Sequence, residues 1–233
     1  MNFENKLISG LFVKRYKRFF ADINVNDKII TAHCANSGSM LGLLKKNNKV
    51  WLMKSNNKKR KLKYTLQIIE DDGSKVGVNT HLTNRIVKHA LEENLIKDFS
   101  KKIKIKSEQV FGDNTRFDFY IEDGKTKSFL EVKNVTLKRK SEIAEFPDSV
   151  TARGTKHLNE LINARKKGFK SYLLFVIQRE DCNKFKIAKD LDPVYLKTLI
   201  KAIKHNVKIL CYDCKFLSKG IILNNKIKFL NNE

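Results

Sequence analysis

Three charged residues give the first chemical lead: Asp118, Glu131 and Lys133, within RFDFYIEDGKTKSFLEVKNVTL at 116–137. The stretch reads as two strands joined by a Gly-containing turn, with Asp118 on the first and Glu131-Val132-Lys133 on the second. Alternate residues of a strand share a face, so Glu131 and Lys133 point the same way. A hairpin partner can bring Asp118 up beside them. Two carboxylates and an ammonium on one sheet face are costly to bury without a purpose. The chemistry that uses them is a divalent metal, Mg2+ or Mn2+, held by Asp118 and Glu131, with Lys133 beside an attacked phosphate. The tripeptide alone is unspecific: 31% of the residues are charged, so Glu-x-Lys recurs by chance, as at Glu4-Asn5-Lys6.

Those side chains must be positioned by a folded protein, and 233 residues are enough for one large or two small domains with real cores. No apolar run approaches the roughly 20 residues of a membrane span, and the N-terminus lacks a signal peptide's apolar centre. The expected location is the cytoplasm, with association to the bacterial nucleoid. Lys and Arg number 48 against 25 acidic residues, a formal charge of +23 that favours polyanionic partners, of which nucleic acid is the abundant one. The enrichment in Lys, Asn and Ile together is also what an AT-rich genome produces without selection for binding. Cys34, Cys182, Cys211 and Cys214 read as buried thiols. Cys211 and Cys214 form a CxxC on a strand that would turn them to opposite sides, with no His at finger spacing.

Residues 1–78 look all-β, with five short segments rich in aromatic and β-branched residues. Five strands in so short a stretch suggest a small Greek-key barrel of the OB kind. Its first segment carries Lys14, Arg15, Lys17 and Arg18 in pairs that break the alternation, so a bulge or strong coiling is expected there. The same four cations interleave with Phe12, Tyr16, Phe19 and Phe20, and Lys58, Lys59, Arg60 and Lys61 sit in a later loop. This arrangement suits phosphates on the cations and bases on the rings, although a small barrel needs most of those aromatics, and Trp51, for its interior.

From residue 79 to 233 helices enter. Leu82, Ile86, Ala90, Leu91 and Leu95 mark a first helix, and Leu158, Leu161 and Ile162 a second that ends at Gly168. Leu196, Leu199, Ile200 and Ile203 mark a third, with Pro193 in its first turn. Strands fall at KIKIKSEQVF, RFDFYIE, SFLEVKNVTL and the apolar SYLLFVIQR, which suits the middle of a covered sheet. The segment ending at Phe146-Pro147-Asp148 reads as irregular, and two short strands close the chain. The fold class is therefore α+β or α/β: an OB-like barrel over 1–78, then an α/β domain over 79–233.

The order helix, strand, strand, strand, helix, strand across 79–178 resembles the core of PD-(D/E)xK nucleases. Asp118 sits on the second strand and Glu131-Val132-Lys133 on the third, where that superfamily carries its acids and lysine. Glu92 or Glu93 on the first helix is a candidate further acid, against the simpler reading of a solvated helical Glu. Gln178 ends the apolar strand where some of these nucleases use a side chain. Nearly the whole chain also resembles the sugar fermentation stimulation protein A family. The blocks that carry this are Thr31–Met40, Lys59-Arg60-Lys61, Val78-Asn79-Thr80 with Asn84-Arg85, and Arg116-Phe117-Asp118. Glu131–Leu137, Phe146-Pro147-Asp148 and Val150-Thr151-x-Arg153-Gly154-x-Lys156-His157-Leu158 complete them. Ala35 stands where that family usually has Pro, and Ala152 where it usually has an acid.

The resemblance implies an OB-like domain, a nuclease-like domain, DNA binding without marked sequence preference and a regulatory role in sugar use. In such a centre Asp118 and Glu131 would hold Mg2+, with a backbone carbonyl near Val132 completing the site. Lys133 would orient water and offset charge on the phosphorane, and Arg153, Lys156 and His157 would contact phosphate. Two alternatives remain open on the sequence. One is a non-enzymatic DNA-binding regulator using the same surface, and the other is an RNA-binding module.

Overall fold

The computed structural model describes residues 1–112 and 115–230. Alternating β-branched and aromatic residues build β1 (Leu7–Tyr16), β2 (Phe20–Val25), β3 (Lys28–His33), β4 (Lys49–Lys54), β5 (Tyr64–Asp71) and β6 (Ser74–Gly77). They form one sheet in the order β3-β2-β1-β4-β5-β6, and His33 of β3 also pairs with Thr65 of β5. Phe12, Ile23, Leu52 and Leu66 fill its interior. There are six strands where five segments were expected, because 11–25 is a hairpin rather than a single strand. Lys17 and Arg18, at φ of 46° and 61°, turn the chain between β1 and β2. The bulge expected in this segment lies between Phe12 and Lys14.

A single 3-10 turn, Thr80–Leu82, leads into α1 (Thr83–Glu92). Then follow β7 (Ile103–Phe111), β8 (Thr115–Asp123), β9 (Thr126–Val135), β10 (Leu137–Lys140), β11 (Glu142–Phe146) and α2 (Ala152–Lys166). The chain continues through β12 (Lys170–Ile177), β13 (Cys182–Ile187), α3 (Pro193–Lys204), β14 (Lys208–Leu217), β15 (Gly220–Lys226) and β16 (Lys228–Phe229). A mixed sheet runs β15-β14-β12-β9-β8-β7. Its middle strand, β12, is parallel to both β9 and β14, so residues 171–177 are all buried. On one face α1 packs Ile86, Val87 and Ala90 with Leu130, Leu174 and Val176. On the other, α2 and α3 bring Leu158, Leu161 and Leu199 against Phe175 and Ile177. Thr151 caps α2 by accepting the Gly154 N–H at 3.1 Å, which fixes where that helix begins.

Three expectations need correction. The segment before Pro147 is not irregular: it holds β10 and β11, which join β13 and β16 in a second sheet, β10-β11-β13-β16. Among the described residues three strands, rather than two, follow α3. The buried face of α3 is Tyr195, Leu199 and Ala202, while Ile200 and Ile203 are exposed. Cys211 and Cys214 do face opposite sides, in separate core clusters, and all four thiols are buried and unbridged. No helix among the described residues is long and apolar enough to cross a membrane.

The two parts of the chain meet through backbone and charge. Phe3 donates its N–H to Lys219 O at 2.8 Å, so the first residues lie along the β14–β15 turn. Gly77 donates to Gln178 O at 2.9 Å, and a Cβ on Gly77 would come within 2.2 Å of the Gln178 amide oxygen. Arg179, fully buried, bonds Asp71 Oδ2 of β5 at 2.9 Å, Asp181 Oδ1 at 2.8 Å and Thr136 O at 3.0 Å.

Candidate active site

The β8–β9 hairpin turns at Gly124, whose φ of +60° is the left-handed conformation that glycine adopts without strain. The ladder runs from Asp123–Thr126 to Phe119–Leu130 and goes no further. Beyond it the Asp118 carboxylate takes the place of the strand: Oδ2 accepts the Val132 N–H at 2.8 Å and Oδ1 accepts Asn84 Nδ2, from α1, at 2.7 Å. On β9, Glu131 is 2% exposed. Its Oε1 receives Lys133 Nζ at 2.6 Å and also bonds His157 Nδ1 of α2. Because an ionised carboxylate only accepts, His157 carries its proton on Nδ1 in that bond. Among the described residues Glu131 Oε2, which is buried, has no hydrogen-bond partner.

The two carboxyls respond to this setting in opposite ways. Burial, and then the neighbouring Glu131 charge, push Asp118 up to about 6, against the bonds from Val132 and Asn84 and the charge of Lys133. Burial would raise Glu131 too, but Lys133 and then His157 outweigh it and hold it below the usual carboxylate range. One acid is firmly ionised and the other resists ionisation beside it. That is the electrostatic state a divalent cation between them would relieve.

Asp118, Glu131, Val132 and Lys133 line a cleft of about 560 Å³ together with Asn84, His81, Arg153 and His157. It continues past Asp118 into a second hollow of about 460 Å³ that reaches Arg116. Past Lys133 and Asn134 it meets a third, of about 420 Å³, that ends at Arg18 and Gly38 of the N-terminal part. A larger cavity, about 600 Å³, lies between Phe3, Trp51, Phe216 and Lys219, but none of the chemical groups lines it. The grouping of acids and lysine makes the open groove the candidate site.

Residues 13–78 match the SfsA N-terminal OB domain, and residues 81–220 match the sugar fermentation stimulation protein RE domain. The chain belongs to the sugar fermentation stimulation protein family. Sugar fermentation stimulation protein homologs similar to it include that of Pelagibacter ubique, 52% identical over 99% of this chain and 100% of that protein. That of Brucella ovis is 45% identical over 95% of this chain and 94% of that protein. The solved structure of Pyrococcus furiosus SfsA in complex with Ca2+ shares the fold, with a TM-score of 0.89 at 24% identity over 99% of this chain and 98% of that one.

Within this family member, the expected site residues separate by position. Asp118, Glu131, Val132 and Lys133 come together. Arg153 is exposed on the first turn of α2 and lines the cleft, and Lys156 is exposed on the same helix. His157, expected at phosphate, is buried and bonded to Glu131, where it orients the acid instead. Lys14, Lys17 and Arg18 are exposed around the β1–β2 turn. Arg15 is not available in the same way, since its guanidinium bonds Arg18 O at 2.6 Å, Asn36 O at 2.7 Å and Gly38 O at 3.0 Å, clamping the loop that borders the groove. Lys58, Lys59 and Lys61 are exposed, and Arg60 is half-buried.

Neither helical acid reaches the cleft: Glu92 and Glu93 are exposed at the far end of α1, with Glu92 3.9 Å from Lys88. Gln178 is a buried strut, donating to Asn134 Oδ1 at 2.6 Å and Thr83 Oγ1 at 3.1 Å. Trp51 is half-buried between the ammoniums of Lys49 and Lys75, at 5.4 and 5.7 Å from its ring. The roles of Asn84 and Glu108 escape sequence reasoning. Asn84 reads as a polar first-turn residue until Asp118 is beside it. Glu108 lines the cleft because the unshifted β7–β8 register, Ser107 with Phe119 and Gln109 with Phe117, sets it opposite Asp118, at φ of 54°. Nothing in IKIKSEQVF announces that pairing.

Proposed function

We propose that this protein binds DNA without marked sequence preference and hydrolyses its phosphodiester bonds at a Mg2+- or Mn2+-dependent centre of the PD-(D/E)xK kind. The reading divides the chain into an OB-like barrel up to about residue 78 and a nuclease-like core beyond it. Its support is the order α1-β7-β8-β9-α2-β12, with Asp118 on the second of these strands and Glu131 and Lys133 on the third. The observation that carries it is the buried Glu131 Oε2, without a hydrogen-bond partner among the described residues, beside an Asp118 whose ionisation is resisted, in an open groove bordered by cations. A buried polar atom without a partner calls for a missing donor or ion.

The donor set fits a hard cation. Among the described residues no three His, Cys, Asp or Glu side chains form a metal cluster. Mg2+ is commonly held by one or two carboxylates, with waters and substrate phosphate supplying the rest. Asp118 and Glu131 would hold it, joined by the backbone carbonyl of Val132. The Ca2+ in the similar Pyrococcus furiosus structure, another oxygen-seeking cation, agrees with this. Once bound, such an ion supplies charge neutralisation and an acidified water. The chain does the rest. Asn84 and the Val132 N–H fix both oxygens of Asp118, and His157 fixes Glu131. Lys133 places an ammonium where charge develops on the attacked phosphate. Arg153 and Arg116 sit along the groove to hold flanking phosphates.

Linear and nicked DNA incubated with the purified protein and Mg2+ or Mn2+ tests this. Cleavage is expected, slowed about 100-fold by Lys133→Ala. Cleavage untouched by that substitution would trace to a contaminant, and binding without cleavage would leave the non-enzymatic regulator. For binding, about five phosphate contacts give a log–log salt slope near −4 to −5. A slope close to zero would remove the electrostatic basis of the reading.

A further inference from the structure

We propose that the strand entering the cleft is single-stranded DNA, with its bases laid along a row of rings on the outer face of the N-terminal sheet. This rests on the reading of the cleft as a DNA-cleaving centre and names the form of DNA it takes. The row follows from register. Tyr16 of β1 is paired with Phe20 of β2, and Phe20 with His33 of β3. Directly paired residues share a face, and it is the outer one, because the neighbours Ala21 and Ile23 point into the core.

The rings fall into two contacting sets on this face. Tyr16 and Phe20 stack at 5.4 Å and 17°. Phe19, at the turn, stacks on His33 at 6.3 Å and 26°, and His33 meets His81 at 6.4 Å. Phe19 is 42% exposed and Tyr16 36%. His81 is exposed and lines the cleft that holds Asp118 and Glu131. The row therefore ends at the candidate centre.

Cations flank it in the way a phosphodiester backbone requires. Lys14 lies 5.5 Å from the Tyr16 ring, and Lys17 and Arg18 form the turn beside Phe19. Arg18 also lines the groove leading to Lys133. Arg60, from the basic loop, is close enough to His33 that its charge, after burial and together with His81, keeps that imidazole below its ordinary pKa. A duplex keeps its base faces covered and gains nothing from exposed rings, whereas unstacked bases gain from each one whatever their sequence. Cations alone would serve a duplex equally well. The rings among them favour a single strand.

The test compares a 20-nucleotide single strand with its blunt duplex by fluorescence anisotropy, using the full chain. It adds 2-aminopurine within the single strand to report stacking, and maps cleavage on a duplex carrying one single-stranded tail. Expected are binding of the single strand at least tenfold tighter than the duplex, quenching of 2-aminopurine on binding, and cuts in or beside the tail. Phe19→Ala should weaken single-strand binding roughly tenfold, well beyond its effect on duplex, and Phe19→Trp should restore it. Equal or tighter duplex binding, absent quenching, or equal weakening of both forms by Phe19→Ala would overturn the proposal. A preference for RNA of the same sequence would overturn it as well. The two readings fail separately. Quenching and single-strand preference without any cleavage would remove the nuclease and leave the ring track, while indiscriminate cleavage of blunt duplex would do the reverse.

Discussion

Asp118→Asn is expected to abolish cleavage, by roughly 1000-fold or more, and to make the metal-free protein more stable at neutral and alkaline pH. The activity loss follows from removing one of two carboxylates that would hold the cation. The stability gain follows from the pKa. In the folded chain the Asp118 carboxyl is raised from 3.8 to about 6, first by burial and then by Glu131. Between those pH values the folded protein keeps a proton that the unfolded chain releases. The stabilisation from the protonated form is therefore complete below about pH 4 and lost as pH rises through 6. Above that, keeping Asp118 ionised, chiefly because it is buried and then because of Glu131, costs about 3 kcal/mol.

Asn carries no charge and nearly the same shape, and a turned Asn84 amide can still bond it. Some of the charge-assisted bonding from Val132 is lost, so the expected net gain is roughly 2 kcal/mol at pH 8, or about 5 °C in Tm. No gain is expected at pH 4. Thermal unfolding at both pH values, with and without Mn2+, reads all of this. Mn2+ should raise the Tm of wild type at pH 8 and leave the variant nearly unmoved. A variant less stable than wild type at pH 8 would mean that the carboxylate pair is not under strain.

Arg179→Ala is expected to destabilise the fold by about 3–5 kcal/mol. The guanidinium is wholly buried and holds Asp71 of β5 and Asp181, the latter far below the ordinary carboxylate range. Burial works against that charge state, and the bonds from Arg179 and then Lys138 outweigh it. Removing the arginine leaves Lys45 near Asp71 and Lys138 near Asp181, so the loss is severe without being total. It should shrink when Asp71 is also replaced by Asn, because the stranded charge is then gone. Urea unfolding of the single and double variants measures it. A loss under 1 kcal/mol would show the junction to be held by packing alone. Because Arg179 follows Gln178, which braces Asn134 beside Lys133, the substitution should also loosen the cleft.

The grouping of Asp118, Glu131 and Lys133 was legible because its signals are local. Glu131 and Lys133 are two apart on a strand, and one glycine turn separates that strand from the one bearing Asp118. Period-two alternation and hairpin pairing need no knowledge of distant residues. The apolar run at 171–177 named the central strand for the same reason. What failed was non-local. The pairing of β11 with β13, and of β13 with β16, is parallel and long-range, and β10 reads LKRK, which resembles a loop. The turn at Lys17-Arg18 lacks Gly, Asn or Pro, so nothing local marks the break between β1 and β2. On α3, two apolar stripes compete. The one carrying Tyr195 wins because that ring fills space against Phe146 and Gly154, which Ile200 and Ile203 do not reach. The binding role expected for Arg15 and the phosphate role expected for His157 rested on residue type alone. Both side chains are occupied by partners, the 36–38 carbonyls and Glu131, that adjacency in sequence does not reveal.

The most direct measurement is anomalous diffraction from a crystal soaked in Mn2+ near pH 8. Expected is a single strong peak between Asp118 and Glu131, about 2.0–2.2 Å from a carboxylate oxygen of each, with Glu131 Oε2 among its ligands, and no peak in Asp118→Asn crystals grown and soaked identically. An ordered water or the Lys133 ammonium resting on Glu131 Oε2, with no anomalous signal at saturating Mn2+, would contradict a metal centre.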